Sequence, residues 1–236
     1  MCTVSFVKVD NKVIITSNRD EKVLRPSAIE PQYYLVNHKR ILFPKDKKAG
    51  GTWYAVDEDS NVLVLLNGAE ERHTLKENYR KSRGLIVLDL IGSDSPRDAW
   101  DAVDLEGIEP FTIVLFEKQR LYQLRWDEQA KEQQELDSNQ AHIWSSSTLY
   151  SAAVRLQRAL WFHAFMKTNS SINKESLFQF HRYTEAANKE HGLVINRNDT
   201  LKTLSITQTV IESNKVTNHY ADLIKEQDYS STFITV

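Results

Sequence analysis

The stretch CTVSFVKVDNKVIITSNRDE, residues 2–21, decides how the rest of the chain is read. Residues 3–9 and 12–17 are β-branched, partly alternating runs, and Asp10-Asn11 between them has the composition of a tight hairpin turn. A two-residue loop at 10–11 makes paired positions sum to 21, which sets Cys2 opposite Arg19. Moving the loop to 11–12 gives a sum of 23 and keeps both side chains on one face, whereas a three-residue loop breaks the relationship. The chain is therefore expected to begin inside an antiparallel sheet.

Working outward, strand-like runs recur at 33–36, 40–43, 52–57 and 61–67, separated by polar or glycine-containing turns. Helical periodicity appears at 82–92 and, after Ser95-Pro96, at 96–103. Strands resume at 111–116 and 120–126, and the acidic, glutamine-rich stretch 127–140 reads as loop or a solvated helical turn. A short strand at 141–145 leads into Ser145-Ser146-Ser147-Thr148. Amphipathic helices follow at 149–167 and 174–189, the first with Leu149, Ala153, Leu156, Leu160 and Phe165 near helical spacing. A hairpin of 201–211 with 215–220 closes the pattern. Hairpins rather than βαβ crossovers connect the strands, so the expected class is α+β, with layered sheets in one domain spanning 1–236.

Composition excludes several functions. Hydrophobic residues make up 41% and charged residues 26% of the 236, with only 7 glycines and 5 prolines, the profile of an ordinary globular chain. A formal charge of -2 offers no overall attraction to nucleic acid or anionic lipid. No stretch approaches the ~18 uninterrupted apolar residues of a membrane helix, and the expected location is cytoplasmic. The single cysteine rules out an intramolecular disulfide and a cysteine-rich metal site. The seven histidines lack zinc-ligand spacing, so no metal and no cofactor are expected. Gly50-Gly51-Thr52-Trp53 lacks the phosphate-loop lysine and reads as a turn feeding a strand, with Trp53 alternatively walling a pocket. His163, amid Trp161, Phe162 and Phe165, reads as part of an aromatic core stripe, with a haem ligand as the weaker alternative.

Cys2 is the most informative residue. A small side chain after methionine is the usual context for removal of the initiator, which leaves cysteine first in the chain. Its freed α-amine, with a reference pKa of ~7.7–8.0, then lies within reach of its own thiol and can take the thiol proton. A guanidinium at Arg19 favours the thiolate, and Asp20 can orient either the amine or the arginine. The plain alternatives are an incidental cysteine and a surface charge cluster at a strand end.

Met1-Cys2, Asn18-Arg19-Asp20-Glu21, Pro26, Gly50-Gly51-Thr52-Trp53 and Leu65-Leu66-Asn67 together resemble the NRDE family, which includes the transport-and-Golgi-organisation proteins. Ile143-Trp144-Ser145-Ser146-Ser147 and Lys202-Thr203-Leu204-Ser205 sit where that family has comparable segments. The family is in turn similar to cysteine N-terminal-nucleophile hydrolases with a four-layer αββα sandwich, such as bile-salt hydrolases and penicillin V acylases. The resemblance implies Cys2 as nucleophile and base, Arg19 in the thiolate environment, Asp20 near the amine and Asn67 as an oxyanion donor. Ser146 stands where those hydrolases often carry a second asparagine, and Lys202 where they carry a late arginine. Asp20 also lies nearer its arginine than the corresponding aspartate does. The implied activity is hydrolysis of a small non-peptide amide or acyl compound. The alternative is a non-catalytic carrier whose cargo is haem, a lipid or an acyl-CoA.

Overall fold

Residues 3–235 are described by a computed structural model of the chain. Strands β1 (Thr3–Val9) and β2 (Lys12–Lys22) form the opening hairpin, followed by β3 (Ile29–Val36), β4 (Lys39–Lys45), β5 (Tyr54–Asp57) and β6 (Val62–Asn67). Helices α1 (Arg83–Ile91) and α2 (Pro96–Ala102) precede β7 (Phe111–Glu117), β8 (Arg120–Trp126), β9 (Lys131–Leu136) and β10 (His142–Ser145). Then come α3 (Ala152–Thr168), α4 (Lys174–Tyr183), β11 (Asn196–Arg197), β12 (Leu201–Glu212), β13 (Lys215–Asp222) and β14 (Gln227–Ile234). The class is α+β, with every strand pairing antiparallel.

The chain divides into two compact units. Among the described residues, one comprises residues 3–25 together with Asn139–Ile234, and the other Pro26–Ser138 with Thr235. The first holds a sheet of order β10-β1-β2-β12-β13-β14, with β11 added to β12. Asp10 and Asn11 both take positive φ, 48° and 61°, the turn that matches the twist of two paired strands. The register runs from Val9↔Lys12 to Thr3↔Asn18, each pair summing to 21. Helices α3 and α4 cover one face of this sheet, where Phe162, Leu177, Phe180 and Leu193 pack with Val7 and Ile14.

The second unit is a seven-stranded meander, β3 to β9 in chain order. Helix α1 buries Ile86, Val87, Leu90 and Ile91, and its start presses on the turn before β5. The Thr52 amide donates to the Gly84 carbonyl at 3.1 Å, and a Cβ on Gly51 would stand 2.3 Å from the Gly84 carbonyl carbon. Gly50, with φ +74°, makes the turn itself. Trp53, the first residue beyond that turn's Gly50-Gly51-Thr52, is buried.

Three expectations are corrected. Within 127–140 lies the strand β9, whose side chains are almost all exposed because it is the last strand of its sheet. Likewise β14, polar and half exposed, extends the closing hairpin to three strands. Both escape a hydrophobicity reading because an edge strand buries little. In α3, Leu156 and Leu160 are exposed, at 62% and 54%, and Arg158 and Phe162 are buried instead. The helix is turned so that Arg158 can reach polar partners below it.

Candidate active site

At the end of β1 and β2 farthest from their turn, consecutive side chains of β2 divide between the two faces of the sheet, as the pleat requires. Asn18 and Asp20 face the helices, and Ser17 and Arg19 the opposite side.

On the helix face, Asp20 accepts from the Tyr150 hydroxyl at 2.5 Å through Oδ2 and from the Thr203 hydroxyl at 2.5 Å through Oδ1. Thr203 is the register partner of Asp20, and the pairing shifts immediately afterwards, so that Arg19 lies opposite Ser205. The Arg158 guanidinium lies 3.6 Å above the Tyr150 ring and donates from Nη1 to Thr3 Oγ1 at 2.6 Å. Asn18 donates to the carbonyls of His181 and Leu193, at 3.1 and 2.8 Å. Its Oδ1 is thereby the acceptor facing His181 Nδ1, which makes Nδ1 the protonated nitrogen. The His181 Nε2 atom then accepts from the Ser5 hydroxyl at 2.7 Å. His181 is fully buried, and burial first, with the charge of Arg158 second, pushes its pKa down to about 3. The imidazole is neutral at ordinary pH and ties α4 to the opening hairpin.

On the other face, Arg19 is 4% exposed and its guanidinium stands 4.0 Å from Glu21. Tyr220 lies two strands away from Ser17, beyond Thr207. Burial pushes its phenol up to about 12, against smaller contributions that include the lowering effects of nearby Ser205 and Arg19. The buried hydroxyls of Ser17, Ser205 and Thr207 make no hydrogen bond of good geometry among the described residues. They occupy the same face as Arg19, since Ser17 pairs with Thr207 and Arg19 with Ser205. This end of the sheet is a buried polar surface, while the end near the turn carries Val13, Ile211 and Val216.

The sequence-expected residues are distributed unevenly. Cys2 lies outside the described residues. Arg19 and Asp20 stand next to one another but point to opposite sides of the sheet, so the convergence of guanidinium and carboxylate on one point is not what β2 presents. Ser146 is buried, and its hydroxyl meets that of Thr148 at 2.9 Å, while its carbonyl accepts from the Tyr150 amide. Lys202 is register partner to Glu21 and reaches Asp199 at 2.7 Å, an ion pair within the β11–β12 turn. Asn67, in the other unit, ends β6 opposite Phe111 and is half-buried. His163 is exposed on α3.

Tyr150, Arg158, His181 and Thr203 are the site-region residues that sequence reasoning missed. One signal was available: Arg158 lies four residues before Phe162, within the face of α3 that carries Trp161, Phe165 and Met166 to the core. A charge inside a buried stripe needs polar partners. Among the described residues no cluster of three or more histidine, cysteine or acidic side chains could hold a metal ion, and no helix is long and apolar enough to cross a membrane.

Solved structures with the same fold define the class. The chain superposes on a variant of conjugated bile acid hydrolase from Clostridium perfringens with a TM-score of 0.65 at 10% identity, covering 98% of this chain and 92% of that one. Penicillin V acylase from Agrobacterium tumefaciens gives 0.59 at 6% identity, covering 98% and 85%. The Caenorhabditis elegans ortholog of N-acylethanolamine-hydrolyzing acid amidase gives 0.60 at 10% identity, covering 89% and 92%. The fold is thus that of the N-terminal-nucleophile hydrolases, the αββα sandwich that the family resemblance implied. Sequence places it further: residues 1–236 match the profile of Transport and Golgi organisation 2, and the chain belongs to that family. No curated protein matches it significantly in sequence.

Proposed function

We propose that this protein is an N-terminal-nucleophile amidohydrolase acting through Cys2 on a small non-peptide amide or acyl compound. The observation that carries the reading is the β1–β2 register. It holds its sum of 21 down to Thr3↔Asn18, and the next residue of β2, Arg19, is buried on a polar face. Continued by one residue, the same count would pair position 2 with Arg19, whose guanidinium would favour a thiolate there. Attack by the thiolate on the substrate carbonyl forms a thioester and releases the amine, and water activated by the α-amine then releases the acid. The family resemblance would put Ser146 and Lys202 in the places of the second asparagine and late arginine. The similar solved structures include a penicillin V acylase and an ortholog of an N-acylethanolamine-hydrolyzing acid amidase, which supports this choice of substrate class. The test is an acylating probe read by intact mass. Wild type should gain one acyl adduct and Cys2→Ala none; labelling that persists in the variant rejects the nucleophile.

A second reading, a carrier of haem, lipid or acyl-CoA that has lost turnover, is favoured by the Lys202–Asp199 pair, which occupies the lysine within a turn. Retention of Met1 in the purified protein together with a haem-dependent absorbance shift would select the carrier. A processed terminus with no shift would select the hydrolase.

A further inference from the structure

Helix α4 packs on β2 and β12, and beyond β12 the sheet continues to β13 and β14. Between the start of α4 and that continuation lies a cavity of about 290 Å³, at the small end of ligand pockets, which run upward from about 300 Å³. Strand register sets its floor: Thr16, Gln208, His219 and Ser230 are successive partners in one row across β2, β12, β13 and β14. Phe178 of α4 and His219 form adjoining aromatic walls, with ring centroids 4.9 Å apart and planes at 53°. Val210 and Thr217, partners in the next row of the same face, also line the cavity.

Gln208 carries the polar atom that this cavity leaves unsatisfied. The residue is 4% exposed, and its Nε2 donates to Thr16 Oγ1 at 2.9 Å and to the Lys174 carbonyl at 3.0 Å. A carbonyl only accepts, so the second contact fixes which end of the amide is nitrogen. Among the described residues Oε1 accepts no hydrogen bond. Unlike the enclosed hydroxyls of Ser17, Ser205 and Thr207, it keeps access to the cavity. A buried carbonyl oxygen without a donor is costly, and a ligand N–H would supply one. The ionisable groups around the cavity pair with each other, Lys174 with Glu175 at 3.3 Å and His219 with Asp228 at 3.1 Å, which favours a neutral occupant. We propose that the cavity binds a small, neutral heteroaromatic compound, its ring N–H donating to Gln208 Oε1 and its flat faces packing on Phe178, His219 and Val210. Planar rings suit aromatic walls of this kind. The site uses none of the residues assigned to acyl transfer, so it stands or falls apart from that reading.

Benzimidazole, titrated into the full chain and followed by two-dimensional NMR, should shift the side-chain amide signal of Gln208 and the ring signals of Phe178 and His219. Its 1-methyl derivative, which keeps the rings but lacks the N–H, should bind about five- to tenfold more weakly. In Gln208→Leu that difference between the two compounds should vanish. If Gln208→Leu does not fold, Thr217→Phe, which fills the cavity from β13 without touching Gln208, carries the test and should abolish the shifts. Millimolar benzimidazole that leaves the Gln208 and Phe178 signals unmoved overturns the assignment. So do equal affinities of the two compounds for the wild type, a difference that persists in folded Gln208→Leu, or undiminished binding in Thr217→Phe.

Discussion

Tyr150 donates to Asp20 across 130 residues of sequence at 2.5 Å, so the acidic residue of the Asn18-Arg19-Asp20-Glu21 motif is held by the segment that leads into α3. Thr203 supplies the second donor from β12. Hydrogen bonds to an ionised carboxylate are stronger than those between neutral groups, and a buried carboxylate that loses one bears the desolvation penalty. Tyr150→Phe, which keeps the ring under Arg158, should destabilise the protein by about 1.5–3 kcal/mol in urea unfolding. A loss below about 0.5 kcal/mol would show that the bond is not made in solution.

His181 makes stability depend on pH in a stated direction. Its folded pKa is about 3 against 6.5 for the free side chain, so between those values the unfolded chain binds the extra proton. The stabilisation is complete above pH 6.5 and declines as pH falls toward 3. From pH 7 to pH 5 the residue should contribute a loss of about 2 kcal/mol, near the limiting slope of about 1.4 kcal/mol per unit. His181→Gln should be less stable at pH 7 and should flatten this part of the profile. Parallel profiles for the two proteins would refute a neutral buried imidazole.

Gly50 and Gly51 are adjacent but should respond differently to alanine. At Gly50 a Cβ meets nothing within 4 Å, and only its φ of +74° opposes substitution, which amounts to about 1–2 kcal/mol. At Gly51 the Cβ would collide with the backbone of Gly84 at 2.3 Å, requiring α1 to move off the turn. Gly51→Ala should therefore lower the unfolding midpoint much more than Gly50→Ala, and thermal melts of the pair would show the order.

The orientation of α3 is tested by polar substitution. Leu156→Ser and Leu160→Ser lie on its exposed side and should each change stability by no more than about 0.5 kcal/mol. Phe162→Ala opens the cluster formed with Leu177, Phe180 and Leu193 and should cost about 3–5 kcal/mol. Equal effects at Leu156 and Phe162 would mean that the helix is turned the other way.

Local chemistry explains which parts were legible in advance. Asp10-Asn11 needs only its own two residues to adopt positive φ, and once that turn forms, the pairing of β1 with β2 follows residue by residue. By contrast, β9 and β14 are polar strands whose state depends on the neighbour that pairs with them, β8 and β13 respectively. Their own hydrophobicity contains little of that information.

From residue order alone came the α+β class, the opening hairpin with a short set of possible registers, and the family likeness, because turn chemistry and strand alternation act over a few neighbouring residues; the structure selected the register summing to 21. Folding in three dimensions decided that Asp20 is held by Tyr150 and Thr203. It also decided that a lone buried arginine on α3 grips the start of β1. Those outcomes depend on contacts between segments separated by more than a hundred residues, where burial and hydrogen-bond satisfaction, rather than local propensity, select which side chains meet.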